Sequence, residues 1–152
     1  MSSKSAPRIL IADDNVAARI TIRELLRWHS FDVCGEAQDG DIAIEKTVRL
    51  RPDIVVLDIN MPRMNGVDAA HEIRRLRPKT KIVFLTIHDT PVVAAALRQW
   101  AHGFVCKADA GITLVPTLNR LARTPRLSVT APLAHGDDHT EPSEISLRSH
   151  KR

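Results

Sequence analysis

The stretch Ile54-Val55-Val56-Leu57-Asp58, followed by Ile59-Asn60-Met61-Pro62 and then Gly66, decides how this chain is read. Four aliphatic residues in an unbroken run read as a strand buried on both faces, the habit of a parallel sheet. The run ends on a carboxylate, and Asn60, Pro62 and Gly66 then mark a loop. In open α/β sheets, ligands and chemistry gather at the carboxyl ends of the strands. Asp58 is therefore expected at an exposed rim rather than in the core. A lone Asp in such a place is ordinarily a turn or capping residue, so its meaning depends on what the other strand ends bring.

Working outward, Arg8-Ile9-Leu10-Ile11-Ala12 reads as the first strand and runs into Asp13-Asp14-Asn15. Ala18, Ile22, Leu25, Leu26 and His29 recur at helical spacing after it. Phe31 to Ala37 reads as a second strand closed by the turn signal Asp39-Gly40. Asp41 is placed to cap the next helix, with Ile44, Thr47 and Val48 on its inner face. Arg51-Pro52-Asp53 ends that helix. Beyond Gly66, Val67 to Leu76 predicts a helix with Ala69, Ile73 and Leu76 inward, stopped by Pro78. Lys81 to Thr86 reads as a fourth strand.

Asp89-Thr90-Pro91 is a helix start, with Thr90 as cap and Pro91 in the first helical position. Val93, Leu97 and Trp100 continue that helix to Gly103. Phe104-Val105-Cys106-Lys107 reads as the fifth strand. A last helix falls between Gly111 and Arg123. Thr113 as its cap would put Pro116 in the tolerant first turn, so a short or kinked helix is expected. Five strands alternating with five helices imply a doubly wound parallel α/β sheet covered on both faces. Residues 1–7 read as a flexible leader and 8–123 as one domain. Residues 124–152, rich in Ser, Thr, Pro, His and mixed charge, read as a disordered tail.

The composition suits one soluble domain: 152 residues, 43% hydrophobic and 26% charged. A net charge of +4 and a pI near 9.5 invite a nucleic-acid reading. However, Arg49, Arg51, Arg74, Arg75 and Arg77 fall at helix ends, where cations suit the dipole, and read as solvated surface. Cys34 and Cys106 lie within expected strands without zinc-like spacing, which predicts buried, reduced thiols and a cytosolic compartment. No stretch approaches the length of a membrane-spanning helix and the leader has no apolar segment, so a cytoplasmic location is expected.

The strand ends carry the chemistry. The first strand delivers Asp13 and Asp14, the third Asp58, the fourth Thr86 and the fifth Lys107. Each has an ordinary explanation taken alone: helix caps, a turn hydroxyl, a surface lysine. In a doubly wound sheet, however, they converge on one rim. Three carboxylates that close repel unless a cation joins them. Mg²⁺ is suited to this place, because it accepts one or two carboxylates, keeps waters and takes phosphate oxygens. A carboxylate flanked by a divalent cation and a lysine is a nucleophile toward phosphorus.

With these residues in this order, the stretch from Arg8 to Leu121 resembles a response-regulator receiver domain, the phosphoaccepting partner of a sensor histidine kinase. Ile9-Leu10-Ile11-Ala12-Asp13-Asp14 and Gly103-Phe104-Val105-Cys106-Lys107 are most similar to its NarL/FixJ-type subgroup. The resemblance implies a flavodoxin-like sheet with strand order 2-1-3-4-5. It makes Asp58 the phosphoacceptor, and gives the Mg²⁺ ligands as Asp13, Asp14, Asp58 and the main-chain carbonyl of Asn60. Thr86 would be the switch hydroxyl and Lys107 the phosphate-binding lysine. Phe104 falls at the family's aromatic switch position, or is an ordinary core Phe. Met61 and Pro62 would shape the loop beside the acceptor.

Two residues depart from the family pattern: Trp100, where relatives usually carry a small residue, and Pro116. Trp100 reads either as an exposed anchor for a partner or as cover for a repacked helix end. NarL/FixJ-type proteins usually continue into a helix-turn-helix domain. The 29 residues from 124 to 152 cannot assemble one, so no direct DNA binding is expected.

The leading expectation is therefore a phosphoacceptor switch that takes its phosphoryl group from a sensor histidine kinase or phosphotransfer protein. It would signal to an unknown downstream protein through the surface of the fourth helix, fifth strand and fifth helix, with a phosphorylation-dependent homodimer as one form. The alternative is a shortened transcriptional regulator acting on DNA through a partner. A phosphatase-like hydrolase with an aspartyl nucleophile ranks lower, because Asn60, two residues past Asp58, cannot act as a general acid.

Overall fold

The computed structural model describes residues 4–87 and 90–124. β1 (Arg8–Ala12), β2 (Asp32–Ala37), β3 (Ile54–Asp58), β4 (Lys81–Thr86) and β5 (Gly103–Cys106) form one parallel sheet in the order β2-β1-β3-β4-β5. Side chains alternate across a strand, so each central strand feeds two cores. Ile9, Ile11, Ile54, Val56, Val83 and Leu85 point to one face, where they meet Ile22 and Leu26 of α1 (Val16–Trp28) and Leu114, Leu118 and Leu121 of α5 (Ala110–Arg123). Leu10, Val55, Leu57, Ile82 and Phe84 point to the other. There they meet Ala43 of α2 (Gly40–Leu50) and Ala69, Ala70 and Ile73 of α3 (Gly66–Leu76). The result is the doubly wound fold expected from the alternating pattern, with the flavodoxin-like strand order that the family resemblance implies.

Several local expectations are corrected. Asp39, not Asp41, caps α2, its Oδ1 accepting from the Ile42 N–H at 2.9 Å. The buried stripe of α2 is accordingly Gly40, Ala43 and Thr47, while Val48 is exposed and Ile44 only half-buried. In α3 the inward residues are Gly66, Ala69, Ala70 and Ile73, and Leu76 is exposed at the helix end. Asn15 caps α1 through Ala18 N–H, which frees Asp13 and Asp14 from that ordinary role. β5 stops at Cys106, and Lys107 opens a 3₁₀ turn through Asp109. Cys34 and Cys106 are free but half-exposed rather than buried. Cys34 lies where the β1–β2 register slips, between the pairs Ile9↔Val33 and Leu10↔Gly35.

Pro116 is not in a first turn, and the last helix is not short. α5 begins at Ala110, so Pro116 lies in the helix interior, and Thr113 is a helical residue whose hydroxyl bonds back to the Asp109 carbonyl at 3.0 Å. An interior proline costs about 3 kcal/mol. Leu114, Leu118 and Leu121, all essentially buried, together return more than this at about 1.5–3 kcal/mol each. Burial therefore overrides the breaker.

The α5 end is held by the buried Lys81 of β4, whose ammonium donates to the Leu121 carbonyl and to the carbonyl (2.7 Å) and hydroxyl (2.8 Å) of Thr124. A cation at a helix C-terminus is favourable.

α4 (Pro91–Leu97) starts at the Thr90 cap with Pro91 first, as expected, then tightens into a 3₁₀ turn at Arg98–Trp100. No residue of α4 is fully buried. Trp100 folds back onto α3, 4.6 Å from the His71 ring and under the Arg74 guanidinium at 5.1 Å. Of its two sequence readings, cover for a repacked helix end is the one observed. Asp89 of the helix-start motif and the stretch 125–152 lie outside the described residues.

Gly66 sets how closely α3 can approach β3. A Cβ there would stand 2.2 Å from the Asp58 carbonyl oxygen and 2.8 Å from Ile59 Cα, both backbone atoms. At Gly111, in α5, a Cβ would meet nothing within 4 Å. Urea denaturation should find Gly66→Ala destabilised by about 3 kcal/mol or more. Gly111→Ala should be neutral or stabilised by up to roughly 1 kcal/mol.

Candidate functional site

Sheet register brings the strand ends together. Ala12 pairs with Leu57, so Asp13 and Asp58 follow at the same level; Asp58 pairs with Leu85 and Thr86 with Cys106, so Thr86 and Lys107 step up beside them. Oxygen atoms from Asp13, Asp14 and Asp58 all lie within 4.8 Å of one another. Lys107 Nζ is 2.7 Å from Asp13 Oδ2 and 3.3 Å from Asp58 Oδ2. Asp13 is fully buried, Asp58 is 3% exposed and Thr86 2%, whereas Asp14 faces solvent. Asp58, expected at an exposed rim, is in fact buried, and the Asn60 N–H donates to its Oδ1 at 3.2 Å. Phe104 is half-buried and meets Phe84 edge-on at 6.4 Å, packed inward with Leu97 and Trp100.

Three carboxylates meet one ammonium here. Burial pushes the Asp58 carboxyl up to about 6 and the Asp13 charge adds to this, while Lys107 and the Asn60 N–H pull the other way. Burial alone would lower Lys107, but Asp13 and Asp58 outweigh it and raise its pKa above the ordinary lysine value. Hard oxygen donors carrying an excess of negative charge fit a divalent cation, which would offset that excess.

Supports that sequence reading did not single out surround Asp13. Its N–H donates to Ala37 O at 3.0 Å, its Oδ1 accepts from Asn15 N–H at 2.9 Å, and its carbonyl accepts from Arg19 Nη1 at 2.6 Å. Glu36 braces Arg19 and Arg23 at 3.2 and 2.7 Å. Arg19 lies one turn past the Asn15 cap, a spacing visible in the sequence. Its partner Glu36 on β2 is visible only once β2 is placed beside β1.

The shift on Asp58 has a thermodynamic sign. Unfolded, the carboxyl titrates near 3.8; folded, near 6. Between these values the folded chain holds a proton that the unfolded chain releases, so stability falls as pH rises through the window. In the metal-free protein, Asp58→Asn should raise stability on the order of 1 kcal/mol above about pH 6. The gain should vanish below about pH 4. Denaturation of both proteins on either side of the window measures this, and a gain independent of pH would contradict it.

Comparison with known proteins follows the same residues. The family model for the response regulator receiver domain matches residues 9–119. The chemotaxis protein CheY of Thermotoga maritima is 35% identical over 117 residues, covering 76% of this chain and 98% of that protein. The transcriptional regulatory protein PdtaR of Mycobacterium tuberculosis is 33% identical over 111 residues, covering 73% of this chain and 54% of that protein. The signal receiver domain of the NarL response regulator of Mycobacterium tuberculosis superposes with a TM-score of 0.73 at 28% identity, over 80% of this chain and 100% of that one. A LuxR-family response regulator from Aurantimonas sp. SI85-9A1 gives 0.74 at 29% identity, over 82% and 91%. No described helix is long and apolar enough to cross a membrane. With the matching segment containing all four strand ends that meet at the acidic cluster, the chain belongs to the response regulator receiver domain family.

Proposed function

We propose that this chain is a phosphoacceptor of a two-component relay, taking a phosphoryl group from the phosphohistidine of a sensor histidine kinase or phosphotransfer protein onto Asp58. The observation that carries this reading is the buried Asp58 carboxylate between Asp13 and Lys107, with Lys107 Nζ at 3.3 Å. Asp13, Asp14, Asp58 and the main-chain carbonyl of Asn60 would hold Mg²⁺. When bound, Mg²⁺ supplies neutralisation of the phosphoryl oxygens and of the crowded carboxylates.

The chain's own residues do the rest. A carboxyl oxygen of Asp58 attacks phosphorus. The new O–P bond forms as the P–N bond to the donor imidazole breaks, and the imidazole nitrogen keeps the electron pair and takes a proton. A pKa of about 6 leaves Asp58 ionised, hence nucleophilic, at neutral pH. Lys107 offers a point charge to a phosphoryl oxygen and Thr86 a hydroxyl. The chain acts as a switch that catalyses only its own phosphorylation and dephosphorylation.

Output through α4, β5 and α5 is supported by the weak anchoring of α4 and by apolar side chains left on that side. Val92 and Ile112 are each 78% exposed and Ile87 61%. Thr86 and Phe104 would couple the site to this surface, and a phosphorylation-dependent homodimer is one form the output could take. A cytoplasmic setting, where sensor kinases present their phosphohistidine, completes the proposal. A second reading is favoured by the relatives called transcriptional regulatory proteins, PdtaR and DegU: control of transcription through a partner rather than by direct DNA contact. A gel-shift assay on this chain alone should find no specific binding; a specific shift would favour direct readout instead.

Incubation with a phosphorylated kinase, or a small acyl phosphate and Mg²⁺, should label the wild type stoichiometrically and Asp58→Asn not at all. Persistent labelling of that variant would remove Asp58 from its role. Lys107→Ala should slow labelling about 10²-fold. Thr86→Ala should still be labelled while losing phosphorylation-dependent partner binding.

A further inference from the structure

The loop from Ile59 to Asn65 carries Asn60 past the acidic cluster, and at Arg63 it adopts φ 69°, the left-handed region that a residue with a Cβ enters at a cost. Such residues persist where their surroundings over-determine them, and they gather at functional sites. Here the surrounding group is Asp39. Arg63 Nη2 donates to Asp39 Oδ2, while Asp39 Oδ1 caps α2 through the Ile42 N–H. Asp39 is 1% exposed, but the Arg63 side chain is 69% exposed. A guanidinium otherwise in solvent is thus spent on a carboxylate set into the wall beside the site. Asp14, Gln38, Asp39, Pro62 and Arg63 line a single cleft there.

The next residue repeats the contact in apolar form. A Cβ on Gly40 would fall 2.9 Å from the Cβ, Cγ and carbonyl oxygen of Met64. At the far end of the loop, Gly66 N–H donates to Ile59 O at 2.8 Å. The loop is therefore closed at its base by the Gly66–Ile59 bond and held to the start of α2 through Arg63 and Met64, with Asn60 between Ile59 and Arg63.

Resting on the phosphoacceptor reading above, we propose that Arg63 is a positioning residue: by gripping Asp39 it fixes the 59–65 loop, and hence the Asn60 main chain, against the acidic cluster, and so sets the affinity for Mg²⁺. In this role Arg63 would act through the loop without itself holding the metal or the phosphoryl group. Partners one shell removed from a metal commonly change its affinity about 10- to 100-fold.

The test separates positioning from mere stability. Glycine accepts a φ of 69° without cost, so Arg63→Gly removes the ion pair while relieving the backbone. Asp39→Asn keeps an oxygen for the α2 cap and removes the charge. Calorimetric titration with MgCl₂ should find Kd raised about 10-fold in Arg63→Gly. Asp39→Asn should raise it similarly, the double variant should be no weaker than the weaker single one, and Arg63→Lys should lie between. The Tm of Arg63→Gly should stay near that of the wild type, and its labelling rate should recover at saturating Mg²⁺. Equal Kd values for wild type and Arg63→Gly, with Asp58 still the labelled residue, would overturn this inference alone. Absence of Mg²⁺ binding by the wild type would overturn it together with the phosphoacceptor reading. Multiplying effects in the double variant would also sink it, because they would mean that the two residues act separately.

Discussion

Three carboxylates and one ammonium share the carboxyl edge of the sheet, and two of the carboxylates are out of water. Charged groups are seldom buried without pairing, so everything near this edge is arranged to make the arrangement tolerable. Lys107 reaches both buried acids, Asn15 and Asn60 lend backbone N–H groups, and Arg19 holds the Asp13 carbonyl from outside. Compensation is incomplete, as the raised Asp58 pKa records. A site left short of positive charge is one where an incoming cation or phosphoryl group changes the energy balance of its surroundings.

The sheet makes this possible by being ordinary everywhere else. Each central strand supplies two cores with alternating aliphatic side chains, so strand positions and register are strongly specified. Unlike residues such as Asp13, Thr86 and Lys107 can then be delivered side by side from segments far apart in sequence. At the β3–α3 connection Gly66 lets the helix backbone lie against the Asp58 carbonyl. α4 has no buried residue of its own, and Trp100 just after it packs on α3.

The strands were legible because an unbroken apolar run has one stable place in a parallel sheet. Asp13, Asp58, Thr86 and Lys107 were legible because each ends such a run. Helix faces were less so: in α2 the capping residue is Asp39 rather than Asp41, and the buried stripe is made by Gly40, Ala43 and Thr47, small residues that carry little hydrophobic signal. Pro116 misled because a local breaker is visible in the sequence while the burial of Leu114, Leu118 and Leu121 that outweighs it is not. The burial of Asp58 and the pairings Arg19–Glu36 and Arg63–Asp39 depend on which elements and loops the fold sets side by side, information not carried by spacing along the chain.

β4 joins two charged poles. Thr86 stands at its carboxyl end beside the acidic cluster, and Lys81 at its amino end grips the last turn of α5. Six residues of strand span roughly 20 Å, so the chain passes Thr124 at the far side of the molecule from Asp58. The same strand that sets Thr86 beside the acidic cluster is thus also the rod fixing where α5 ends, and a displacement of one end along the strand axis would be felt as a pull at the other.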